Sequence, residues 1–267
     1  MRRKQAEPVY LVMSAVMSLA DSMMFAVMSL YFVQRVHLDP LQLVLVGTVL
    51  EGTILLFEIP TGVVADVFSR RLSVLCGVFL LGFSRVVQGM FPLALAIFCT
   101  EVLVGIGYTF LSGATQAWLA DEIGEESVNR VFLRSGQINR LIELPASLVG
   151  IGLGTISLAI PVVLGGGLYL VLFVLLLVVM PEKGFHPTPK EERSTWQHLF
   201  ETLRQGVSAV RASPLLKIVV GVNLFVGLAS EGFDRLWEAH ILKDMALPSF
   251  GHWQPVVWFG LLKVLGA

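Results

Sequence analysis

Seven apolar runs, each close to the roughly 20 residues a helix needs to cross a bilayer core, divide the chain and leave room for little else. They cover approximately residues 8–32, 41–65, 72–91, 94–120, 141–160, 162–180 and 215–238, and an eighth apolar stretch fills 253–267. In lipid, every backbone N–H and C=O must find its partner inside the protein, so such runs are read as helices. Composition agrees. Of 267 residues, 55% are hydrophobic and 15% charged, against about 25% charged in an ordinary soluble domain. The expected fold class is an all-α polytopic membrane protein. The first run carries Asp21 and lacks a small-residue cleavage site, so it reads as a retained helix and not a signal peptide.

The charges set orientation. Arg2, Arg3 and Lys4 precede the first run, Arg70 and Arg71 separate the second from the third, and Arg130, Arg134 and Arg140 separate the fourth from the fifth. Lys183, Lys190, Arg193, Arg204 and Arg211 lie between the sixth and seventh, with Lys217 at the very start of the seventh, whereas the alternate loops hold only Arg35 and Lys243. Basic residues stay on the cytoplasmic side, which predicts a multi-pass protein of the cell (inner or plasma) membrane with a cytoplasmic N-terminus. The net charge of −1 argues against a nucleic-acid partner. Cys76 and Cys99 read as free buried thiols, and no His or Cys spacing suggests a metal. No glycine sits in a strand–turn–helix context, so no nucleotide loop and no cofactor is implied. Trp118 and Trp237 read as interface anchors.

Residues 181–214 are polar and carry Pro181, Pro187, Pro189 and Pro214. Within them Trp196, Leu199, Phe200, Leu203, Val207 and Val210 recur at helical spacing, as expected of a helix lying in the membrane interface. The chain thus divides into a six-helix bundle over 1–180, a cytoplasmic linker over 181–214 and the start of a second bundle over 215–267. An offset of 209 residues places Ala20-Asp21-Ser22 over Ala229-Ser230-Glu231, a weak repeat consistent with two bundles. Gly266-Ala267 falls inside an apolar run, so further helices of the second bundle are expected beyond it.

Ionisable residues at membrane depth are costly and are functional candidates by default. Asp21 lies near the middle of the first run and Glu51 near the middle of the second, with Glu58 two turns on. Arg85 and Glu101 lie at similar distances on either side of the tight hairpin at Phe91-Pro92, so they are expected at one depth on adjacent helices, as a buried ion pair. In the seventh run Glu231 and Arg235 are four residues apart and share a helix face.

Between the second and third runs stands Gly62-Val-Val-Ala65-Asp66-Val67-Phe-Ser69-Arg70-Arg71. This resembles the signature loop of the major facilitator superfamily, Gly-x-x-x-Asp-(Arg/Lys)-x-Gly-Arg-(Arg/Lys). Gly62, Asp66, Arg70 and Arg71 match, while Val67 and Ser69 depart from it. The resemblance implies a conformational latch in which Arg70 or Arg71 pairs with Asp121 at the cytoplasmic end of helix four. It also implies that helices one, four and seven line a central cavity. Those helices hold Asp21, Glu101 and Glu231 with Arg235, candidates for binding a cationic substrate or a coupling proton, with Glu51 behind them. Desolvation favours the neutral form of an acid, so such a group can take up and release a proton as the cavity changes sides. Other motifs depart further. Helix four reads Glu101-Val-Leu-Val104-Gly105-Ile-Gly107 where many proton-coupled members begin with arginine, and the Gly-Pro motif of drug antiporters is absent.

The implied function is alternating-access transport of a small molecule, with proton-coupled export of a hydrophobic or cationic compound placed first. Metabolite uptake by a symporter or facilitator is the alternative, and a non-transporting membrane scaffold or fragment is another. A membrane-embedded enzyme would want a clustered nucleophile or a metal-ligand set, and the sequence displays none.

Overall fold

The computed structural model describes residues 6–185, 204, 205, 207–244 and 257–259, with some side chains of the last helix outside the description. The described residues form α1 (Ala6–Phe25), α2 (Met28–Leu30) leading into a π-helical turn (Tyr31–Arg35), α3 (Pro40–Val67), α4 (Arg70–Met90), α5 (Ala94–Leu111), α6 (Ala114–Ile123), α7 (Glu125–Ile156), α8 (Ala159–Val179) and a further helix, Pro214–Asp244. Most of the expected amphipathic segment between 186 and 203 lies outside the described residues.

Local chemistry explains the boundaries. Asp39 and Gln42 close a reciprocal capping box at the start of α3, where Pro40 takes the first helical position. Ser69 caps α4 by accepting from the Leu72 amide at 2.8 Å. Two expected spans are broken. The first divides at Ala26-Val27, where the Val27 amide donates to Met24 O at 3.1 Å, one residue short of the α-helical partner. The fourth divides at Gly113, whose φ of 67° is readily adopted only without a Cβ.

The fifth expected span, 141–160, is misplaced by the sequence reading. Its helix α7 begins at Glu125, so Arg130, Arg134 and Arg140 lie on a helix and not in a loop. Glu125 and Glu126 in the first turn complement the helix N-terminus. At 32 residues α7 is roughly 48 Å long, longer than the ~30 Å hydrocarbon core, and its charged first half can extend beyond it. The chain turns at Ser157-Leu158 between α7 and α8, and Pro161 falls in the first turn of α8, where its missing N–H forfeits no helical bond.

The centre of the bundle is α4, packed between α5 and α8. On one side α1 packs against α7 and α8, and on the other α3 packs against α5. Gly77 of α4 meets the Gly107 carbonyl of α5, and Gly82 meets the Gly166 carbonyl of α8. Small residues in register let these backbones touch, as helix association in lipid requires. Val171, Val174 and Val178 on the outer face of α8 are 59–82% exposed, and an aliphatic surface of this kind suits acyl chains, not water.

The tightest backbone approach between two of these helices is that of Gly150 in α7 to Met23 O of α1, just before the break in the first span. A methyl group there would overlap backbone, which cannot rotate away. Gly150→Ala is expected to destabilise the protein by about 1–3 kcal/mol, the usual range for overpacking. Gly152, two residues on, has nothing within 4 Å of a Cβ, and Gly152→Ala should be neutral or slightly stabilising. Thermal unfolding of the two variants in detergent measures the difference.

Candidate functional site

One face of α1 forms the wall of a cavity of about 440 Å³. Tyr10, Ser14, Met17, Ser18 and Asp21 recur every three or four residues along that wall, with Met13 and Ser22 beside them. The opposite wall is Asn139 and Glu143 of α7, and Thr115 of α6 contributes from the side. The groove starts at the first turns of α1 and reaches Asp21. Beyond Asp21 the chain turns inward, and Met23 and Met24 are buried.

Hydrogen bonds fix the two walls. Ser14 Oγ lies 2.8 Å from Ser135 Oγ, and Asn139 Nδ2 donates to Ser14 Oγ at 2.9 Å. Asp21 Oδ1 accepts from the Tyr169 hydroxyl of α8 at 2.8 Å. Tyr169 is 1% exposed, so it reaches Asp21 from inside the bundle while Asp21 itself borders the cavity.

Behind this wall lies a charged cluster sealed from the cavity. Arg85 Nη1 of α4 donates to Glu101 Oε1 of α5 at 3.0 Å and to Gln88 Oε1 at 2.7 Å. Gln88 Nε2 closes the triangle by donating to Glu101 Oε1 at 2.8 Å. The Tyr31 hydroxyl donates to the Gln88 carbonyl, and the Arg85 guanidinium stands 5.9 Å from the Phe25 ring centroid. Arg85 is 4% and Glu101 2% exposed. The pairing expected from the hairpin is therefore present in the geometry, but Glu101 does not line the cavity as the resemblance implied. Helix α5 turns it toward α4, where the guanidinium and the amide satisfy it.

At the opposite end of α4, the signature loop folds onto α6 and α8. Arg70 Nη1 donates to Asp121 Oδ2 at 2.5 Å and to the Ala117 carbonyl at 2.8 Å, and Arg70 Nη2 lies 3.9 Å from Asp66 Oδ1. Of the two arginines considered, it is Arg70 that meets Asp121. Arg71 instead donates from Nη2 to the Leu177 carbonyl at 2.5 Å. Gly62 makes no close approach, since nothing lies within 4 Å of a Cβ there.

Glu51 and Glu58 lie apart from the cavity. Glu51 is on the exposed face of α3, and Glu58 accepts from Ser112 Oγ at 2.6 Å. Glu231 and Arg235 belong to the Pro214–Asp244 helix, but their side chains are outside the described residues. Among the described residues no group of three or more His, Cys, Asp or Glu could hold a metal. Cys76 is half-buried and Cys99 exposed, which corrects the expectation that both are buried. Trp118 is 1% exposed and donates from Nε1 to the Pro181 carbonyl at 2.6 Å, so it anchors the end of α8 and is no interface residue.

Several participants escaped the sequence reading. Glu182 accepts from Ser69 Oγ at 2.8 and 2.9 Å and from the Arg71 amide at 2.9 Å, yet in sequence it is one acid in a polar linker. Tyr169 lies in a featureless apolar run. Glu143 falls at the start of the run expected over 141–160, whereas α7 begins at Glu125 and so carries it well inside the helix.

The Major Facilitator Superfamily profile matches residues 10–265. The chain is 22% identical over 228 residues to an uncharacterized MFS-type transporter, YxaM, of Bacillus subtilis (strain 168), covering 84% of this chain and 56% of that protein. Among solved structures, it is similar to a mutant of the nucleoside transporter NupG, with TM-score 0.68, 13% identity, and coverage of 90% of this chain and 60% of that one. It is also similar to a POT family transporter in complex with a thioalcohol-conjugated peptide, with TM-score 0.60, 16% identity, and coverage of 97% and 67%. The chain thus spans a little over half to two thirds of the length of these proteins.

Proposed function

Because the chain belongs to the Major Facilitator Superfamily, a family of transporters and not of enzymes, we propose that it serves proton-coupled secondary transport of a small cationic or amphipathic molecule by alternating access. Residues 1–180 act as one rocking bundle, 181–214 as the connection and 215–267 as the beginning of its counterpart. The protein is multi-pass, and we place it in the cell membrane with its N-terminus in the cytoplasm, on the side of the Arg70–Asp121 latch. Export is the favoured direction.

The observation that carries this reading is the groove on α1 that leads to Asp21. Among the described residues ten line it, two of them carboxylates and none of them Lys, Arg or His. Arg85 spends its hydrogen bonds on Glu101 and Gln88, so Asp21 has a tyrosine hydroxyl but no ion-pair partner within the described residues. An acid so placed holds a cation or a proton in turn, which is the exchange an antiporter needs. Metabolite transport is the second reading. It is favoured by the similar solved structures, a nucleoside transporter and a POT family transporter holding a peptide conjugate, and by the hydroxyl-rich wall.

Proteoliposomes containing the full chain test the proposal. An organic cation added outside should evoke proton exit from the lumen if the protein exchanges the two, and proton entry if it carries them together. A nucleoside or peptide that moves protons where no cation does would establish the second reading instead.

A further inference from the structure

The cavity contains a second acid that the transport proposal leaves unused. Glu143 is exposed, lines the cavity and makes no hydrogen bond or ion pair with the described residues. Its depth follows from the contacts on either side. Asn139 bonds to Ser14 and approaches Ser18, whose hydroxyl lies 3.5 Å from the Asn139 carbonyl. Ser147 Oγ lies 3.4 Å from the Ser22 carbonyl. The two helices therefore run parallel in this register, and Glu143, midway between Asn139 and Ser147, faces α1 between Ser18 and Ser22. That is the level of Asp21. Arg140 lies one turn from Glu143 on the same helix, but it neither pairs with it within 4.0 Å nor lines the cavity.

We infer that Asp21 and Glu143 cradle a single protonated primary amine, and that the cavity rejects quaternary ammonium ions of the same charge. This rests on the proposal that the groove takes a cation, and it names the class. A primary ammonium presents three N–H donors and no acceptor. The free capacity at this level is of the opposite kind: the second oxygen of Asp21, both oxygens of Glu143 and the Ser22 hydroxyl, which has no partner among the described residues. Ser14 and Asn139 are already committed to each other. A quaternary ion, in contrast, has no N–H to give and is recognised by aromatic faces. Tyr10 is the one aromatic residue in the described lining. It stands at the mouth, eleven residues before Asp21, with its ring 5.5 Å from that of Phe132. Met13 and Met17 offer an adaptable apolar surface for the tail of the amine.

Isothermal titration of the full chain in lipid nanodiscs, with empty nanodiscs as blank, separates the cases. The probes are n-hexylamine at neutral pH and n-hexyltrimethylammonium, equal in charge and tail. Wild type is expected to bind the amine at least about 10-fold more tightly, because a site built for N–H donors discriminates strongly against a ligand lacking them. Glu143→Gln should weaken amine binding and reduce the preference to about 3-fold or less, with the quaternary ion unaffected. Equal or reversed preference in wild type, or a tenfold preference kept by Glu143→Gln, overturns the inference. The transport proposal fails separately: it does so if wild type binds neither ion, or if Asp21→Asn binds both as wild type does.

Discussion

Transport by Asp21→Asn is expected to fall by about 100-fold or more in kcat/KM, equivalent to ~2.8 kcal/mol, while the folded protein persists. The substitution is nearly isosteric, and the Asn side-chain carbonyl can still accept from Tyr169, whose hydroxyl now lies 2.8 Å from Asp21 Oδ1. What disappears is the negative charge on the cavity wall. In a partly desolvated groove a carboxylate–cation contact is worth several kcal/mol; Glu101 cannot replace it, being held by Arg85 and Gln88, and Glu143, the other acid of the lining, is left to hold the cation alone. Residual transport should also lose the part of its pH dependence that Asp21 sets, because asparagine does not titrate, leaving only that of Glu143. Tyr169→Phe is the informative companion. It keeps the charge and releases its orientation, so a smaller loss of about 10-fold, roughly the worth of one hydrogen bond to a charged group, is expected. Initial rates in proteoliposomes across pH, with detergent melting curves as a folding control, measure both. An Asp21→Asn protein that melts like wild type and transports at full rate with the same pH profile removes Asp21 from the mechanism.

The sequence made the fold legible because the bilayer imposes one strong rule, that about 20 consecutive apolar residues form a helix. That rule places α3, α4 and α8 to within a few residues. It fails where a helix is defined by something other than apolarity. The start of α7 is set by Gly124 and the acids after it, in a charged stretch that hydropathy discounts, and the breaks at Val27 and Gly113 are single-residue backbone events inside runs that look uniform. The site was half legible for a related reason. Asp21, Arg85 and Glu101 stand out as charges in apolar surroundings, and the signature loop identifies Arg70 and Asp121 by motif. Rotation about the helix axis is not written in one apolar run, because several faces are equally greasy. Hence Glu101 was expected in the cavity when it faces α4. Tyr169, Gln88 and Glu182 are polar residues whose importance depends on partners up to 148 positions away.

Arg85 and Glu101 are the place where single substitutions should damage stability most. Each side chain is at most 5% exposed, so removing either charge leaves the other buried without its partner. Arg85→Gln or Glu101→Gln alone is expected to cost on the order of 3–5 kcal/mol, lowering the melting temperature in detergent by roughly 10 °C or more. The double variant Arg85→Gln/Glu101→Gln should be more stable than either single one, because two amides beside Gln88 can exchange hydrogen bonds with no net charge to bury. That non-additivity is the signature of a coupled pair, and singles that add without coupling would mean that each residue is held by something else. The same double variant separates structure from transport. If its melting temperature recovers and transport with it, the pair only registers α4 against α5. If stability recovers but transport does not, the charge of Arg85 also acts across the wall on Asp21, setting how firmly that acid holds its cation from the far side of Tyr169.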